Sequence, residues 1–141
     1  MVLRMTDQSK EAVAAVPSAK PESRIAYWIF MVPLLLFLLW FGVSDLRRTP
    51  DVTATLSHLG YPAYFAYFIG VGKLLAAVAF LYPASRRWRE WAYAGLTVEF
   101  VCSFASHALV GDAWGMRIAP LVILAILSLA GQFDPHRLRS S

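Results

Sequence analysis

Apolar residues gather in four blocks along the chain, 25–43, 64–82, 91–110 and 113–130, and few charges interrupt them. A helix crosses a bilayer with about 20 mostly apolar residues, and each block reaches or approaches that length. The pattern predicts an all-α polytopic membrane protein, an antiparallel four-helix transmembrane bundle occupying 25–132. Residues 1–24 are too polar for a secretory signal and read as a disordered tail. Residues 133–141 form a second short tail. The first block carries Pro33 and the last Pro120, and a proline inside a helix removes a backbone hydrogen bond and favours a kink. Asp112 stands where it can cap the start of the fourth helix.

The connection between the first two blocks has structure of its own. Thr49-Pro50-Asp51 is a helix start and Gly60 with Pro62 a helix stop. Val52, Leu56 and Leu59 recur at helical spacing between them, which predicts a short amphipathic helix lying in the outer interface or capping the bundle as a lid.

Composition agrees with the pattern. Hydrophobic residues make up 58% and charged residues 16%, and the mean hydropathy is +0.54. The basic balance does not point to nucleic acid, because the positive charges flank the apolar blocks. Arg4, Lys10, Lys20, Arg24, Arg86, Arg87, Arg89, Arg137 and Arg139 fall on one side of the expected topology, against Arg47, Arg48 and Arg117 on the other. Cytoplasmic loops carry the excess of Lys and Arg, so both termini are expected in the cytoplasm. Trp28, Tyr64, Tyr82, Trp88, Trp91 and Trp114 sit near block ends, as interfacial aromatic belts do. The single Cys102 cannot form an internal disulfide, and no Cys/His spacing indicates a metal centre.

Lys73 and Glu99 are the two charges set deep in apolar blocks. A charge at mid-bilayer costs roughly 2.5–3.5 kcal/mol on insertion scales, so both need a partner. They lie at similar depth on consecutive helices. Ala66, Gly70, Lys73 and Ala77 share one stripe, as do Ala92, Gly95, Glu99, Ser103 and Ser106. Small residues at this spacing predict a close helix–helix seam with both charges on it. Two readings stay open: an ion pair that sets register, or the floor of a polar cavity binding an anionic or quinone-like head group or relaying protons through Lys73, Glu99, Ser103 and His107. Nearer the outer face, Asp45, His58 and Asp112 join His107 in a polar cluster suited to acid–base work or a metal. The two histidines lie in different segments without a ligand-pair spacing, so no metal is assigned.

The order His58-Leu59-Gly60-Tyr61-Pro62, Gly72-Lys73-Leu74-Leu75, Arg89-Glu90-Trp91-Ala92-Tyr93-Ala94-Gly95, then Ser106-His107 and Gly111-Asp112 resembles the DoxX-like family of small bacterial membrane proteins. The resemblance runs from the first helix to the last and implies a four-helix membrane bundle. Lys73, His107 and Asp112 occupy motif positions, and Glu99 lies between motifs. The broader group includes a membrane subunit linked to a thiosulfate:quinone oxidoreductase and members of redox-stress complexes, while animal relatives look like assembly factors. The resemblance therefore implies either a quinone- or redox-linked subunit of a bacterial inner membrane, with quinone as cofactor and a membrane or redox protein as partner, or a non-catalytic assembly factor. The polar seam and the lid equally suit a small-amphiphile binding module, and in each case the chain is expected in the lipid bilayer, with a homo-oligomer as a further expected partner.

Overall fold

A computed structural model describes residues 21–82 and 85–135. The expected tail over 1–20, and Arg137 and Arg139, lie outside the described residues.

Those residues form five helices and no strand: α1 (Pro21–Arg47), α2 (Pro50–His58), α3 (Phe65–Leu81), α4 (Arg86–Val110) and α5 (Trp114–Gln132). The chain is a helical membrane protein. The helices α1, α4 and α5 are long and apolar enough to cross a bilayer, whereas α3 has 17 residues, about 25 Å at 1.5 Å per residue.

The helices α1 and α4 begin earlier than the apolar pattern suggests. α1 starts at Pro21, where a missing N–H costs nothing, with Glu22 complementing the helix dipole in the first turn. Residues 21–24, expected in the tail, are thus helical. α1 continues unbroken through Pro33, and α5 likewise through a buried Pro120. α2 follows the sequence closely: Thr49 precedes it, Pro50 opens it, and Gly60 beyond it takes a left-handed φ of +81°. α4 ends on Gly111 in the left-handed conformation that favours glycine. Asp112 is not the cap of α5. Ala113 holds that place with no side-chain cap, because the Asp112 carboxylate is engaged elsewhere.

The four longer helices pack in a ring, α1 on α3, α3 on α4, α4 on α5 and α5 on α1. Met31, Leu34 and Leu38 from α1, Leu96 and Phe100 from α4 and Leu127 from α5 fill its centre. Directions alternate. The start of α1, the end of α3, the start of α4 and the segment after α5 all meet at Arg89, which bonds Tyr27, the Phe80 carbonyl and Asp134. Large apolar residues such as Trp40, Phe68 and Leu109 point outward, as side chains facing lipid do. The aromatic residues assigned to interfacial belts are likewise exposed.

Packing differs from the expected seam in one respect. Ala66, Gly70, Lys73 and Ala77 are all buried, but Gly70 faces α1. A Cβ there would lie 2.8 Å from the Gly42 carbonyl oxygen and 3.0 Å from the Asp45 Cβ. On α4 the buried face runs through Arg89, Tyr93, Leu96 and Phe100, whose larger side chains fill the core. Gly95 is left exposed with no atom near its missing Cβ, so the expected α3–α4 seam opens there into a groove.

Candidate functional site

Lys73, in the middle of α3, is 7% exposed. Its ammonium lies 2.8 Å from Asp45 Oδ2 on α1 and 2.8 Å from Glu99 Oε1 on α4. The pairing of Lys73 with Glu99 is where sequence reasoning places it. Asp45 is not in the outer cluster, where its position near the end of α1 suggested it would be. The glycine contact between Gly42 and Gly70 draws α1 against α3, and that approach brings the Asp45 carboxylate to the Lys73 amine. Two carboxylates share one ammonium, so the triad carries a net charge of −1 when all three groups are ionised.

The Glu99 side chain keeps 23% of its exposure, against about a tenth for Lys73 and Asp45. It stands at one end of a groove of about 270 Å³ between α3 and α4. Ala76, Ala79, Ala92 and Gly95 line the groove, with Trp88 and Trp91 at the far end.

A second polar cluster lies beyond the triad, beneath α2. His58 Nε2 lies 2.6 Å from Asp112 Oδ1 and His107 Nδ1 2.6 Å from Asp112 Oδ2, and both rings are placed to donate an N–H to the carboxylate. These hydrogen bonds, from His107 first and then His58, hold the Asp112 carboxyl below its ordinary range. Tyr61 and Ser106 hydroxyls pair at 2.8 Å, and Ser106 also donates to the Cys102 carbonyl. The α2 stripe faces inward, with Leu56 buried, so α2 sits on α3 and is fastened to the α4–α5 turn. Among the described residues no hydrogen bond links Glu99 to Ser103 or His107. The expected continuous polar path is therefore two separate groups. Nor do three or more His, Cys, Asp or Glu residues converge in a metal-ligating arrangement among the described residues.

Sequence reasoning missed a third group. Arg89, counted above as a loop charge, is 4% exposed, and Asp134, assigned to the tail, is 1% exposed. The Arg89 guanidinium donates Nε and Nη2 to Asp134 Oδ2 at 3.1 and 2.9 Å and Nη1 to the Phe80 carbonyl at 2.9 Å, and it also bonds Tyr27. Tyr93 adds a hydrogen bond to Asp134. The available signal was the helical spacing of Arg89 with Tyr93, Leu96 and Phe100, which puts the arginine on the buried face of α4.

A helical membrane protein with an ion-paired lysine inside its bundle is the class these features define. The family model for the DoxX-like family matches residues 29–130, and the chain belongs to that family. Comparisons with curated proteins and with solved structures return no match.

Proposed function

We propose that this chain is a redox-linked membrane subunit whose Asp45–Lys73–Glu99 triad binds the head group of a quinone-type amphiphile. The observation behind this reading is that Lys73 is held by two carboxylates, one of them partly exposed at the mouth of a groove. An ion pair that only set register would need one carboxylate. When all three groups are ionised the second leaves unbalanced negative charge in a low-dielectric interior, where it is costly. A ligand that hydrogen-bonds the triad offsets that cost. In this reading Lys73 donates to a head-group oxygen, Glu99 exchanges a proton with it, and a partner protein supplies or removes electrons.

The bundle is proposed to cross the bacterial inner membrane four times. The alternating helix directions support this, because α3 must return the chain between α1 and α4. Its length of about 25 Å falls short of the roughly 30 Å core, a mismatch met by local thinning or by flanking residues reaching the interface. Tyr64 and Tyr82 stand at its two ends. Four crossings put both termini on one side, which charge counting makes the cytoplasm.

Mass spectrometry of organic extracts from protein purified in mild detergent tests the reading. A stoichiometric quinone-type molecule is expected in the native protein and in His107→Ala, whose ring belongs to the separate outer cluster. It is expected to be absent from Glu99→Gln. A well-folded native protein that carries no such molecule would reject the redox-linked reading in favour of an assembly module.

A further inference from the structure

Resting on that reading of the triad, we infer that the α3–α4 groove is the seat of the ligand's tail. It takes a single hydrocarbon chain carrying a hydroxylated, hydrogen-bond-donating head of quinol type. Three observations carry this.

The groove is shaped for one chain. Its volume of about 270 Å³ lies just below the ~300 Å³ at which small-molecule clefts usually begin, too small for a double-chain lipid. From Trp88 to Glu99 it follows α4 for eleven residues, about 16 Å. Its width comes from missing side chains. Gly72 and Gly95 both line it, and a Cβ added to either would meet no heavy atom within 4 Å, although small residues in a membrane bundle ordinarily bring helices together.

The groove is also polar at one end only. Glu99 stands there, and the rest of the lining is glycine, alanine, leucine and tryptophan. An amphiphile lying along it would place its head at the triad and its tail towards Trp88 and Trp91. The rim residues Leu75, Trp88 and Trp91 are largely exposed, so the chain can enter sideways from the bilayer without passing through water.

With all three groups ionised the charge of the site excludes one class of head, and the quinone-type reading of the triad supplies the hydroxyl. Two carboxylates against one ammonium disfavour an anionic head group and favour one that donates hydrogen bonds to Glu99. This narrows the sequence-based expectation, which admitted anionic head groups. Tail burial adds little affinity in lipid, because a hydrocarbon chain is equally solvated by its neighbours. The groove therefore contributes orientation and entry, and the head supplies most of the binding.

The experiment uses the full-length protein in liposomes with a decyl-quinol bearing a photoactivatable diazirine in its tail. After irradiation, the labelled residues are mapped by peptide mass spectrometry. Labelling is expected on Ala79, Trp91 and Ala92, competed by unmodified decyl-quinol. Gly95→Leu puts a side chain into the groove from a Cβ that meets no heavy atom within 4 Å and should cut that labelling roughly tenfold, while Glu99→Gln should do the same by removing a hydrogen bond to a charged group. Gly115→Leu, another open glycine but on α5, should leave it unchanged. Saturable labelling that depends on Glu99 but falls on another helix face, unaffected by Gly95→Leu, would overturn the groove while keeping the triad as head site. Labelling that neither Glu99→Gln nor excess decyl-quinol reduces would overturn both. A decyl-ammonium probe that displaces the quinol probe more effectively would overturn the hydroxylated head.

Discussion

At the residue scale the protein depends on two buried cations, Lys73 and Arg89, each held by more than one partner. Lys73 serves Asp45 and Glu99 together, so its removal strands two carboxylates, whereas Glu99→Gln leaves the Lys73–Asp45 bond in place. Breaking a buried pair from one side costs about 3–5 kcal/mol. Lys73→Met should therefore lower thermal stability in detergent by that order, and Glu99→Gln by clearly less. The double change Lys73→Met with Glu99→Met should not restore native stability, because Asp45 stays unpaired. Arg89→Met should be similarly damaging, about 3–5 kcal/mol, since it removes the cation paired with Asp134 and the donor to the Phe80 carbonyl. Equal stabilities for these variants and the native chain would mean that water reaches both sites.

At the element scale, packing follows from which helices can approach closely. Gly42 and Gly70 let α1 and α3 touch backbone to side chain. Gly70→Ala places a methyl group 2.8 Å from a carbonyl oxygen that cannot turn away, and overpacking of this kind costs about 1–3 kcal/mol. Gly95→Ala meets open space and should leave the melting temperature nearly unchanged. The helix α2 is held differently, by the apolar contact of Leu56 and by His58 on Asp112. With Cys102→Ser as background, a cysteine at position 56 should label slowly in the native chain and faster after His58→Ala. Acid bears on the same latch. Because the folded state holds Asp112 below the ordinary carboxylate range, its stabilising contribution is fully present above about pH 4 and is lost as pH falls through the folded-state value. Position 56 should stay protected from pH 7 to 5 as far as Asp112 is concerned and open only in stronger acid. His107→Ala should move that opening upward towards the ordinary carboxylate range.

At the scale of the whole molecule the decisive quantity is the parity of crossings. Four crossings place the two termini on the same side of the membrane, and three place them on opposite sides. Fluorescent and periplasmic-phosphatase reporters fused in turn to each terminus should both report the cytoplasm. Opposite reports would show that α3 does not cross. The same scale explains why the two buried ionic groups differ. The Arg89 group ties the ends of four chain segments into one fully satisfied cluster, a structural clasp. The Lys73 triad leaves one carboxylate open to a groove, which suits a ligand site.

Membrane residence, the helical class, the family and the position of α2 were all legible in the order of residues. Each depends on local rules: the length of an apolar run, a proline that opens a helix, a glycine that ends one. The pairing of Lys73 with Glu99 was legible too, since consecutive helices and a shared depth leave few alternatives. The placement of Asp45, Arg89 and Asp134 depended on tertiary structure. Each lies near a helix end, where the sequence pattern is the same for a solvated charge and for one folded inward. Only the approach of a distant segment, Gly70 for Asp45 and the start of α1 for Arg89, determines which it is. The groove has the same origin. A row of small residues permits either contact or a gap, and α4 turns Tyr93, Leu96 and Phe100 into the core, leaving Gly95 facing open space.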